Sequence, residues 1–341
     1  MEHPPNPNPP HDHAEREHHG LIHRLRHIVA HEHDHGSAHG ARRDTSVEGI
    51  RATKVSLVGL GATAAFQAVI VIFSGSVALL SDTVHNLADA LTAIPLWIAF
   101  SLARRRPTRS YTYGFHRAED AAGLLIVFAI GASAALIIWE SGRRLFEPRL
   151  IDNIPWVIAA GIIGAAGNEL VARYRIRVGR SIGSEALIAD GQHARTDALT
   201  SLAVVAAGIG ATLGAVWVDP VAGLLVAALI LWLLGRSARA MTRRLLDGVE
   251  PELVDKTEAV ILTVDGVRDV ADLKVRWQGH QLRVSASIAV DPELTVVAGH
   301  NTAHTIEHEL QHAFEFPVAT VIHIDPHGLP ESHQLTDHHR E

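Results

Sequence analysis

Cysteine is absent from the chain, which excludes disulfides, thiolate zinc sites, iron–sulfur clusters and a Cu(I) thiolate relay. Any metal must be held by His, Asp, Glu or backbone oxygen. Lysine is nearly absent as well: Lys54, Lys256 and Lys274 are the only three, and every other basic residue is Arg, a bias typical of GC-rich bacterial genomes. No block of like charge makes a nucleic-acid surface, and the formal charge of −7 is modest. The N-terminal segment lacks the apolar core and cleavage site of a signal peptide.

What the chain does have is apolar sequence and histidine. Hydrophobic residues make up 47 % of its 341 residues despite very polar ends, so they must be concentrated between those ends. Of its 24 histidines, eleven fall within residues 1–45 among Pro and charged residues. A segment so poor in large apolar side chains cannot offset its chain entropy, so residues 1–50 are expected to be a disordered His-rich tail.

Six apolar spans follow at about 55–73, 79–101, 120–140, 155–173, 187–214 and 218–236. Each is near the roughly 20 residues that cross a bilayer as a helix. Arg104, Arg105, Arg106, Arg109 and Arg117 lie between spans two and three, and Arg173, Arg175, Arg177 and Arg180 between four and five. Arg236, Arg239, Arg243 and Arg244 follow span six. All fall on one side of a six-helix topology, which predicts a multi-pass protein of the plasma membrane with both termini cytoplasmic. Arg143, Arg144 and Arg149 dissent, balanced in part by Glu140, Glu147 and Asp152.

From about Asp247 the chain reads as water-soluble. Pro251 to Thr263 has a helical pattern, Val270–Trp277 and Leu282–Val290 alternate as half-buried strands around a hairpin turn at Gln278–Gln281, Val296–Phe314 is helical, and Val318–Ile324 is a third strand. The fold class expected is therefore an α-helical integral membrane protein of six transmembrane helices (51–245) with a C-terminal αββαβ domain (246–327), ending in a polar tail (328–341).

The chemistry lies in an internal repeat. Span two reads Asp82-Thr-Val-His85-Asn-Leu-Ala-Asp89, and span five reads Asp190-Gly-Gln-His193-Ala-Arg-Thr-Asp197, about 108 residues later. Residues four apart on a helix rise roughly 6 Å and share a face. His85 therefore aligns with Asp89, and His193 with Asp197. Ionisable groups at membrane depth cost about 3 kcal/mol or more each and need partners. If the two helices face each other, two imidazoles and two carboxylates converge into an N2O2 set whose charge neutralises a divalent cation. That set suits tetrahedral Zn²⁺, tolerates Co²⁺ or Cd²⁺, and suits octahedral Mg²⁺ poorly. Buried ion pairing among the same residues is the bland alternative; the recurrence on two helices favours a metal site, and its midplane position favours transport. Asp82 and Asp190, one turn earlier, either orient the imidazoles or cap the helices. Glu169 in span four either lines the ion path or snorkels to the interface.

On these residues the chain resembles the cation diffusion facilitator family over about residues 50–327. The paired H-x-x-x-D motifs match the family's zinc-type members, Tyr113–Glu119 resembles its signature entering the third helix, Asp219-Pro220 resembles the start of its sixth, and the αββαβ tail resembles its ferredoxin-like cytoplasmic domain. The resemblance implies a homodimer that exports zinc, its transported substrate, in exchange for protons. It also implies a second metal position in the loop holding His116, and a cytoplasmic site around His300, His323 and Asp325. Two positions that are often His in that domain are Ala271 and Ser287 here, which reduces the expectation to one site using His300, His304 and the His323–Asp325–His327 edge. Because zinc binding needs neutral imidazole, His85 and His193 are the expected proton carriers.

Two other function classes fit parts of the sequence. A membrane-anchored metal sensor or storage protein would use the His-rich tail, but an anchor needs no ligands inside its helices. His308-Glu309-Leu-Gln-His312 spells the H-E-x-x-H zinc-peptidase signature, yet it sits in a small soluble domain of a His-rich chain.

Overall fold

Glycine, proline and capping residues set where the apolar stretches become helices. The computed structural model describes residues 44–74, 93–146, 153–215 and 217–329. The His-rich tail, the segment holding Asp82, His85 and Asp89, and the C-terminal tail lie outside them. Helix α1 (Thr45–Ser74) starts where Asp44 accepts the Val47 amide at 3.2 Å. Then come α2 (Ala93–Ala103), α3 (Arg117–Phe146), α4 (Ile154–Ile182), α5 (Glu185–Thr212) and α6 (Val218–Leu245). Among the described residues, four stretches are long and apolar enough to cross a membrane: Thr45–Ile70, Arg117–Phe146, Ile154–Ile182 and Val218–Leu245. Only the C-terminal part of the second expected span falls among the described residues. The fifth is a helix of spanning length made too polar for that test by Asp190, His193, Arg195 and Asp197. Phe128, Leu136, Leu170 and Leu225 point outward and exposed, as side chains do when the surrounding solvent is lipid.

Three boundaries differ from the sequence expectation, each for a visible reason. The basic stretch after span four is not a loop: α4 runs on through Arg173, Arg175, Arg177 and Arg180, because no proline or left-handed glycine interrupts it before Gly183. Gly183, left-handed at φ 73°, closes α4, and Ser184 accepts the Leu187 amide at 3.1 Å to start α5, so two residues join the helices. Helix α3 begins with Glu119 and Asp120 in its first turn and ends with Arg143 and Arg144, complementing its dipole. Arg144, a dissenter from the charge rule, is neutralised by Glu140 at 3.0 Å and by Asp219 of α6 at 2.8 Å. Helix α6 continues to Leu245, where Arg244 is buried against the soluble domain.

That domain has the expected αββαβ order: α7 (Pro251–Leu262), β1 (Val267–Gln278), β2 (Gln281–Val290), α8 (Val296–Ala313) and β3 (Val318–Pro326). The sheet order is β1-β2-β3, antiparallel between the first pair and parallel between the second. Ile261, Trp277, Leu282, Ile288, Ile306 and Leu310 belong to its core. A second core, among them Leu96, Phe100, Ile126, Ile130, Ile182, Leu187 and Ile230, joins the membrane helices.

Candidate metal centre

Small residues bring α5 close to its neighbours. A Cβ on Gly191 would meet Ile176 at 2.7 Å, and one on Gly161 would meet Val205 at 2.7 Å. Along the face so buried lie Asp190, His193 and Asp197, which are 0 %, 2 % and 5 % exposed. His193 and Asp197 stand one turn apart, as their spacing requires. Thr196 donates its hydroxyl to the His193 carbonyl at 2.7 Å. Asn168 of α4, Gln67 of α1 and Ser201 of α5 are also buried, so the membrane interior holds a polar strip. Half of the expected four-ligand set is thus placed. His85, Asp89 and Asp82 lie outside the described residues.

Asp190 is not a cap, since Ser184 holds that position. Its carboxylate meets Arg175 of α4 at 3.0 Å, and the Arg175 side chain is only 1 % exposed. Arg175, counted from sequence as a loop charge, is therefore a buried counter-charge between α4 and α5. Glu169 binds Arg173 at 2.7 Å and Arg195 at 3.2 Å, an ion-pair cluster at partial exposure.

The histidines of the soluble domain are arranged differently. Along α8, His300 and His304 form one edge-to-face pair at 4.5 Å between ring centroids, and His308 and His312 another at 4.3 Å. Ile306 and Leu310 turn into the core, leaving these rings, and Glu309, in water. On β3, His323 lies 3.0 Å from Asp325 but is 68 % exposed. His327 donates its backbone amide to Val290. The strand register sets Ala271, Ser287 and His323 side by side across the sheet. The two substituted positions thus lie in one row on the same side of His323, and they offer a methyl and a hydroxyl group in place of imidazoles. Among the described residues no group of three or more His, Asp or Glu is arranged to hold a metal. The expected set of His300, His304, His323, Asp325 and His327 is not assembled.

His116 is half-buried, its ring facing His280 at 6.0 Å. Burial first, then the neighbouring His280, push its pKa below the ordinary value, while Glu119 pulls the other way. Nearby, Asp247 binds Arg117 and, at 3.1 Å, Arg276, tying α3 to the soluble domain. Partial burial works against the Asp247 carboxylate, but these guanidinium groups outweigh it and hold the carboxyl below its usual range. Sequence reasoning took Arg175 for a loop charge and Asp247 for a domain boundary, and gave no role to His280. The Gly-His pair between two strands was the signal available for His280.

Comparison with known proteins completes the picture. The cation efflux transmembrane domain matches residues 53–246, and the cytoplasmic domain of cation efflux proteins matches residues 249–327. A probable cation efflux system protein of Mycobacterium tuberculosis is 48 % identical over 321 residues, 93 % of this chain and 96 % of the relative. A manganese efflux system protein of Bacillus subtilis is 24 % identical over 84 % of this chain and 98 % of its own length. A cadmium, cobalt and zinc/H(+)-K(+) antiporter of the same bacterium is 28 % identical over 78 % of this chain and 88 % of its own.

Proposed function

Because the chain belongs to the cation diffusion facilitator family of cation efflux proteins, we propose that it exports a divalent metal, zinc by preference, from the cytoplasm in exchange for protons. The observation that supports this most directly is the buried His193 and Asp197 pair, one turn apart on the polar helix of a membrane domain. The same spacing recurs at His85 and Asp89. Imidazole nitrogen favours Zn²⁺, Co²⁺ and Cd²⁺ over harder cations. Relatives named for manganese efflux make Mn²⁺ the competing cargo.

In this reading His85, Asp89, His193 and Asp197 hold the ion in a tetrahedral set, and the imidazoles exchange it for protons as the site faces each side in turn. Arg175 compensates Asp190, so the ligand carboxylates keep their charge for the metal. The protein works as a homodimer in the plasma membrane with both termini cytoplasmic. Its His-rich tail gathers metal near the entrance.

Metal flux into proteoliposomes under an imposed pH gradient, with Zn²⁺, Cd²⁺, Co²⁺ and Mn²⁺ compared, tests the proposal. Gradient-driven zinc flux that vanishes in Asp197→Ala is the expected result. A manganese preference would reassign the cargo, and flux indifferent to pH would remove the proton coupling.

A further inference from the structure

The β1–β2 turn of the soluble domain is seated in a buried socket among the ends of the membrane helices. The turn has two residues, Gly279 and His280, with Gly279 at φ 58°. A Cβ on Gly279 would lie 2.6 Å from the His116 carbonyl oxygen, so only glycine fits. The Gly279 amide donates to Asp120 of α3 at 3.3 Å, and its carbonyl accepts from Arg244 of α6 at 2.9 Å. His280, 2 % exposed, bonds on both sides of its ring: Nδ1 lies 2.6 Å from Glu119 of α3, and Nε2 lies 3.0 Å from Ser46 Oγ of α1. With both nitrogens engaged, His280 is a connector and not a free metal ligand.

The connection joins two helices, α1 and α3, that pack little on each other directly and meet mainly through α2 and the shared core. Among the described residues, α1 packs mainly on α4 and α2, whereas α3 packs mainly on α6 and α5. At their cytoplasmic ends the His280 imidazole bonds Ser46 of α1 on one side and Glu119 of α3 on the other. Transport through the α5 site requires that end of the helix assembly to open and close. We propose that the His280 turn is a cytoplasmic latch: seated between Ser46 and Glu119, it holds α1 against the α3–α6 pair and keeps the inner entrance shut, and the Ser46–His280 bond breaks when the entrance opens for loading. Glu119, Asp120 and Arg244 keep the turn attached to α3 and α6 throughout. The latch rests on the transport reading above, and Ser46 and His280 act as positioning residues with no contact to the metal.

The cysteine-free chain gives a clean test. Ser46→Cys with His280→Cys, bridged in proteoliposomes by a short thiol cross-linker that reductant cleaves, should lose at least tenfold of zinc flux and regain it on reduction. Each single variant treated alike should be unaffected by the reagent. Flux at the unlinked rate in the bridged protein overturns the latch. If His280→Cys impairs assembly, Ser46→Ala decides, since it removes one bond and leaves His280 on Glu119. Weakening the shut state raises the fraction ready to load, so the apparent KM for zinc on the cytoplasmic side should fall roughly two- to tenfold. An unchanged KM overturns the latch, whereas a purely structural loss would lower the maximal rate alone. Absence of metal flux in the wild type is a separate result and refutes the transport reading itself.

Discussion

Helices α5 and α8 both carry histidine one turn from another side chain of metal-ligand type, and they place them in opposite environments. On α5, His193 and Asp197 are buried among small residues and other helices. On α8, His300, His304, His308 and His312 are in water. The count of potential ligands favours α8, but the physics favours α5. In water an imidazole trades a hydrated state for a metal bond and gains little unless further ligands are fixed around it. A buried carboxylate and imidazole have already lost their water, so a cation binds them without that cost. On the proposed reading, histidine density marks where metal is gathered and burial marks where it is committed.

The largest test of that contrast is removal of charge on α5. Asp197→Ala should lower zinc flux in proteoliposomes by at least about 100-fold, more than outer groups around a metal usually cost. If the variant instead transports within a few-fold of wild type, buried position on α5 does not define the site.

The next effect is on stability. Arg175→Leu leaves Asp190 charged and uncompensated between α4 and α5, a loss of about 3–5 kcal/mol for a broken buried pair. Thermal unfolding in detergent should shift down accordingly, and adding Asp190→Asn should recover much of the loss, because the two residues act on each other. A double variant no better than the single one would mean that Arg175 serves another partner.

Much of this was legible in the chain. The apolar runs, the αββαβ order and the H-x-x-x-D repeat each rest on local patterns that tertiary structure seldom overrides. The fate of the arginines was not. Arg173, Arg175 and Arg177 look alike in sequence, and only the rotation of α4 about its axis turns Arg175 inward to Asp190. His280 was hidden for a similar reason. A Gly-His pair in a hairpin turn reads as solvent-exposed, and its burial depends on how the sheet docks onto α1, α3 and α6. The histidines of the soluble domain show the converse: Ala271 and Ser287 weakened the expectation of a site from sequence, and the strand register sets both in line with His323.

A smaller effect is expected where the soluble domain meets the membrane helices. The Asp247 carboxyl is held below its ordinary pKa by Arg117 and Arg276. A depressed folded-state value means that its stabilisation is complete above the unfolded pKa near 3.8 and is lost as pH falls from there through the lowered value. Asp247→Asn should therefore lower thermal stability modestly at neutral pH, where both ion pairs are partly exposed and screened. The gap from wild type should close only in strongly acidic buffer. A gap that persists there would assign the loss to packing instead of charge.

The smallest effect should come from α8. Replacing His300, His304, His308 and His312 together with Gln removes every imidazole of that face but no buried contact, since Ile306 and Leu310 carry the packing of this helix. Maximal zinc flux should stay within about twofold of wild type, as surface changes away from the core usually perturb stability by no more than about 0.5 kcal/mol. The same substitution discriminates against the peptidase alternative, because it removes both histidines of the H-E-x-x-H pattern while leaving the α5 pair intact. Flux reduced as far as in Asp197→Ala would reverse the contrast between the two helices and make the exposed ladder an obligatory step on the ion's route.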